Sequence, residues 1–359
     1  MGTIRALLAL SAGLTLALPA QADEDALAEW IDAANAAQAA QRAELEARGD
    51  AGSLLSAMLL VVPVVADRQR DDQGRDLAER ADALFRAAAE ADADHPVVAW
   101  MLATCMRPGA GVDCGTPEAR ARVQAVAGDR IQTRLWLVGE ALQRGAADEA
   151  QAHWTAAAAA DRYRGLEHDY TELVWSTLLD LDLPEPSPEV ARAYAQALES
   201  SASAPLDFAR QVTAIGLITA APSPGLSVPH GQCGLRALDS PPPRGALGEQ
   251  CRHVFSAMYE QSSTHMEQIV GATAMLRLGV AGEKRAHWVE AVKQLEWIRE
   301  QSRDLWQDFG ERFDPRYGEL WREHGEAAAL RWLLLRSGRP DHPPPGWEPS
   351  DPRVRALVQ

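Results

Sequence analysis

The chain is poor in the parts that most functions need. Of 35 basic residues only Lys284 and Lys293 are lysine, and acidic residues outnumber basic ones by 16. A field of that sign repels nucleic acid and anionic lipid, so neither is expected as a partner. Long apolar runs are missing. Residues 6–18 and 54–66 each fall short of the roughly 20 residues that cross a bilayer as a helix, so no stable membrane insertion is expected. β-branched residues rarely cluster, which leaves little signal for strands. No H-E-x-x-H, C-x-x-C or C-x-x-C-H spacing occurs, and neither does a G-x-S-x-G elbow. G-x-x-x-x-G-K-[ST] and G-x-G-x-x-G are absent too, so no phosphate cradle is visible. Around Gly74, a calcium loop would need acids where Gln69 and Arg80 stand. The one Glu-Ser pair, Glu199-Ser200, sits in a serine tract without the apolar pocket that turns a glutamate into a catalytic acid. No catalytic residue, cofactor site or metal site is assigned.

What is present begins with an address. MGTIRALLALSAGLTLALPAQADED has a basic Arg5, a short apolar run and an Ala20-Gln21-Ala22 cleavage pattern. It predicts a secretory signal peptide cut after Ala22 and a periplasmic or secreted mature chain. Loss of Arg5 with the signal takes the net charge from −16 to −17. Four cysteines, an even number in an exported chain, predict two disulfides. Local pairing, Cys105 with Cys114 and Cys233 with Cys251, is the simplest of three possibilities, and it would fix two irregular loops.

The remaining composition is helical. Ala, Leu, Glu, Gln and Arg dominate. Thr116-Pro117 and Ser187-Pro188 place a cap residue before a first-turn proline, Pro96 and Pro205 also open helices, and Gly49, Gly145 and Gly310 sit where helices should stop. The best-marked stripe includes Trp288, Ala291, Val292, Leu295, Ile298, Leu305, Trp306 and Phe309. The expected fold is all-α: antiparallel helical hairpins stacked as an α-solenoid-like array or an irregular bundle. The expected organisation is a signal peptide at 1–22, a helical-hairpin domain at 23–220 and a Pro/Gly-rich hinge loop at 221–247. A C-terminal helical domain follows at 248–337, then a Pro-rich tail at 338–359 that runs extended with Trp347 docked. Trp30, Trp297 and Trp347 have no clear place in the pattern; the other tryptophans read as core.

Leu135, Val138, Gly139 and Leu142, followed by Ala150, Trp154 and Ala157, have nearly the spacing of a helical-repeat unit. Ala81, Phe85 and Ala88 repeat its second half, as do Ala328, Trp332 and Pro340. On these residues the chain resembles tetratricopeptide-like (Sel1-like) helical-repeat proteins. The first unit is one residue short between its halves and lacks the closing proline. The resemblance implies a concave helical face that binds a protein or peptide and performs no chemistry of its own. The expected function is therefore a non-catalytic helical scaffold. The alternative is an enzyme or small-molecule binder with its site near the 221–251 loop, where His230, Arg236 and His253 are the candidate ligand residues.

Overall fold

A computed structural model describes residues 21–65, 74–107, 110–197, 204–220, 226–236, 241–307 and 316–359. The signal-peptide run, part of the segment around Gly74, Glu199-Ser200, Phe309 and Gly310 lie outside the described residues, as does the Trp306 side chain.

Among the described residues there are seventeen helices and no strand. The first ten are α1 Gln21–Arg48, α2 Ala51–Leu59, α3 Gly74–Ala91, α4 Pro96–Thr104, α5 Pro117–Ala127, α6 Ile131–Gln143, α7 Ala147–Ala159, α8 Leu166–Leu179, α9 Pro188–Ala197 and α10 Pro205–Ala220. The rest are α11 Ser227–Gln232, α12 Gly245–Gln261, α13 His265–Arg277, α14 Glu283–Gln307, α15 Arg316–His324, α16 Glu326–Arg336 and α17 Pro352–Val358. Their ends follow the punctuation in the sequence. Thr116 caps α5 by accepting from the Ala119 N–H at 3.1 Å, with Pro117 at the first helical position. Asp50 caps α2 from the Ser53 N–H at 2.9 Å. Gly49 and Gly145, at φ +71° and +74°, turn the chain in a left-handed conformation that a side chain would resist.

Consecutive helices pair as hairpins: α2 with α3, α4 with α5, α6 with α7, α12 with α13 and α15 with α16. The hairpins gather around two apolar cores, and neither core is one continuous stretch of chain. The first draws on α1–α5 and α8–α10, and then on α15 and α16 from the far end of the sequence. The second joins α6 and α7 to α12, α13 and α17. The long α14 serves both: Trp288, Val292 and Leu295 enter the second core, while Ile298 and Leu305 enter the first. Helix α8 is the hub of the first core. It packs against α2, α4, α10 and α15, and fully buried Trp175 meets Trp321 with ring centroids 5.6 Å apart.

In the α6–α7 hairpin, Leu135, Val138, Ala150, Trp154 and Ala157 are buried. Leu142 is exposed, and Gly139 opens onto Val228 of α11. In α16 the buried face is Ala327, Leu330, Leu333 and Leu334, while Ala328 and Trp332 are only partly covered. Two helices stand where irregular chain was expected. The Pro-rich segment 221–247 contains α11, and the tail ends in α17, capped by Asp351 with Pro352 at the first position. Trp347 of the tail docks edge-on against Trp297 at 5.4 Å. The Trp297 indole N–H donates to the Pro340 carbonyl, and the Trp30 indole N–H to that of Pro184.

Candidate functional site

The expected ligand residues hold backbone in place. The Cys233 and Cys251 thiols are joined, Cα atoms 5.9 Å apart, and buried in the second core. Cys105 and Cys114 are joined with Cα atoms 5.2 Å apart. Two disulfides fit an oxidising compartment, and no described helix is long and apolar enough to cross a membrane. His230 shares a hydrogen bond from Nδ1 with the Leu226 carbonyl at 3.1 Å and sets its ring edge-on to Phe255. Burial lowers its pKa, so the ring is neutral. His253 reaches the Ala160 carbonyl at the end of α7 through Nε2 at 2.7 Å. The Arg236 guanidinium lies over the Gly231 backbone, where a Cβ would come within 2.8 Å of Nη2. The two histidines are engaged with different partners and seat α11 and the start of α12 against the second core, while Arg236 is exposed.

A concavity lies elsewhere, between α1, α2 and the end of α8. It is an open groove of about 540 Å³. Ala37 and Ala40 of α1 keep one wall low, and Ser56 of α2 and Thr177 of α8 meet across it, the threonine hydroxyl donating to the serine oxygen at 3.0 Å. Gln41 ties the α1 wall to the α8 end: its amide donates to the Asp180 carbonyl at 3.5 Å and accepts from the Asp182 N–H at 3.1 Å. Glu44, Asp180 and Asp182 line the rim, with Arg48 as the one base. The carboxyl end of α8, from Ser176 to Asp180, borders the same groove, so the negative end of the helix dipole lies beside it. The wall is anchored by Trp30 of α1, packed 5.0 Å from Tyr194 of α9.

A second feature is enclosed. Gln132 of α6 sends its Nε2 to Glu167 of α8 at 3.2 Å and to Glu267 of α13 at 3.0 Å, and its oxygen accepts from the Gly165 N–H at 2.7 Å. Glu267 is 5% exposed and also accepts from the Tyr163 hydroxyl at 3.1 Å, the Thr264 hydroxyl at 3.2 Å and the Ser262 hydroxyl. Thr264 in turn caps α13 by accepting from the Glu267 N–H at 3.3 Å. Burial, then the charge of Glu267, pushes the Glu167 carboxyl up to about 8. Burial and the same neighbour raise the Tyr163 phenol well above its ordinary value. A carboxyl held protonated beside a second carboxyl is the pattern of acid–base catalysis. Here the clefts on its two sides are about 10 Å³ each, room for one water and not for a substrate. The cluster is a joint between helices. Among the described residues no three His, Cys, Asp or Glu side chains are grouped to hold a metal ion.

None of the groove residues, nor Gln132, Glu167 and Glu267, stands out in the sequence as a site. The one local signal is Thr264-x-x-Glu267, which has the spacing of a helix capping box. Comparison with protein-family models, curated proteins and solved structures finds no match to this chain.

Proposed function

We propose that the protein is a non-catalytic helical scaffold, exported to the periplasm or beyond by its N-terminal signal, and that it holds a basic segment of a partner polypeptide in the groove between α1, α2 and α8. The observation that carries this reading is the groove itself: open, low-walled and rimmed by three carboxylates against one arginine. The α8 carboxyl end adds negative potential at the same place. Small and hydroxylated floor residues suit an extended peptide that passes along the surface. The overall acidity of the chain would draw a cationic partner toward it. The alternative, an enzyme or small-molecule binder beside the 221–251 loop, draws no support from His230 and His253, which are engaged with backbone and ring partners, and Arg236 is exposed and does not converge with them on a cavity.

The test is a peptide panel. Fluorescence anisotropy with Lys/Arg-rich and Asp/Glu-rich peptides of matched length should show binding to the basic set only, weakening as salt rises. The double variant Glu44→Lys/Asp182→Lys, on exposed positions, should keep the melting temperature and weaken binding by about tenfold or more. Equal binding of basic and acidic peptides, or an unchanged affinity in the variant, would sink the reading.

A further inference from the structure

The Glu167–Glu267 cluster lies where the two cores meet. Helix α8, which carries Glu167, buries Leu166, Tyr170 and Val174 in the first core. Helices α6 and α13, which carry Gln132 and Glu267, bury Ile131, Leu135, Ile269 and Ala272 in the second. One amide nitrogen serves both carboxyl groups, so the two accepting oxygens lie within roughly 6 Å of each other. We propose that this cluster is a pH-sensitive latch: with a proton on Glu167 the amide bridge joins α8 to α13, and loss of that proton sets two carboxylates against each other and parts the helices.

Among the described residues the nearest cations already have partners, and Arg164 shares a cleft with both carboxyl groups. Arg130, at the start of α6, is committed to Asp169 at 2.6 Å. Arg164 donates to the Gln261 carbonyl at 2.7 Å and meets His168 at 3.5 Å. The His168 pKa is lowered, chiefly by burial, which keeps that ring neutral. Tyr163 already donates to Glu267. From α4 and α5, the cleft beside Glu167 receives Trp100 and Val123. From α16, Glu326 reaches α13 by accepting from the His265 N–H at 2.7 Å, and adds a third carboxyl to the neighbourhood. Its pKa is raised by burial and, in smaller part, by Glu267.

The direction follows from these contacts. Glu167 is protonated through neutral pH and ionises near pH 8. Above that point a charge appears beside Glu267 in a half-buried site, where like charges repel more than at the surface. The two N–H groups of the Gln132 amide still serve both oxygens, and the repulsion between the charges acts against that bridge. The 160–165 segment, tied to α6 by the Ile131 and Gln132 N–H groups at 2.7 and 3.1 Å, stays with the second core. The first turn of α8 is the part released.

Amide hydrogen exchange on the full chain tests the latch. After correction for intrinsic chemistry, wild-type protection at 166–171 and 264–268 should fall about tenfold or more between about pH 6 and about pH 9. In Glu167→Gln, which copies the protonated form, protection should be level with pH. In Glu267→Gln, which removes the opposing charge, it should also be level, so the test survives if one variant fails to fold. Infrared difference spectra of the wild type should show a protonated carboxyl band that disappears over the same range and is missing from Glu167→Gln. Unchanged wild-type protection, a wild-type profile retained by either variant, or no such band would overturn the proposal.

Discussion

Replacing each disulfide by serine pairs separates two contributions to stability. The bridges close loops with sequence separations of 9 and 18 residues. Loop-closure entropy depends only on the logarithm of that length, so each bridge should contribute about 3 kcal/mol at room temperature. Burial breaks the tie. Cys233 and Cys251 are 1% and 0% exposed inside the second core, whereas Cys105 and Cys114 are half-buried. Two serine hydroxyls without partners in the core cost a further ~2 kcal/mol or more. Cys105→Ser/Cys114→Ser should therefore lose about 3 kcal/mol, and Cys233→Ser/Cys251→Ser about 5 kcal/mol or more. Cys233→Ala/Cys251→Ala should fall back toward the first figure. Urea unfolding followed by far-ultraviolet circular dichroism reads all three, provided each shows one transition. Equal losses for the two serine pairs, or identical serine and alanine results at the buried pair, would refute the reasoning.

Two more outcomes follow from buried geometry. His265 donates from Nε2–H to the Leu295 carbonyl at 3.0 Å, and burial drops its pKa to about 4. Its folded value lies below the unfolded one, so its contribution is complete above about pH 6.5 and declines toward pH 4 by about 1 kcal/mol per pH unit. The difference between wild-type and His265→Gln urea midpoints across that range should show this slope, and a flat difference would mean that the ring is hydrated. Gly271 lets α13 approach the α12 backbone: a Cβ there would meet the Phe255 carbonyl oxygen at 2.7 Å and the Tyr259 nitrogen at 2.8 Å. Gly271→Ala should cost about 1–3 kcal/mol and lower the melting temperature, and an unshifted melt would place the two helices further apart.

Helix positions were readable because proline, glycine and cap residues mark them locally. Pro117, Pro188 and Pro205 each open a helix at the residue expected. The same grammar stands at Asp351-Pro352, yet α17 hides in a tail whose overall proline content suggests extended chain. Helix α11 has six residues, too few to display a period, and Pro229 lies within its first turn, where its missing N–H costs nothing. The disulfides were readable from compartment and spacing. The groove and the latch were not, because both form where distant segments meet. Gln132 lies 35 residues from Glu167 and 135 from Glu267, and Gln41 lies 139 from Asp180. Nothing local distinguishes such residues from solvated ones.

The placement of α8 at the centre of the first core sets a timetable for folding. Trp30 finds the Pro184 carbonyl only after 154 further residues have been made, and Trp175 meets Trp321 only near the end of synthesis. Helix α8 cannot complete its packing until α15 exists. The short loops between Cys105 and Cys114 and between Cys233 and Cys251 can close far sooner. Closure of the two short loops can thus precede the burial that joins distant helices.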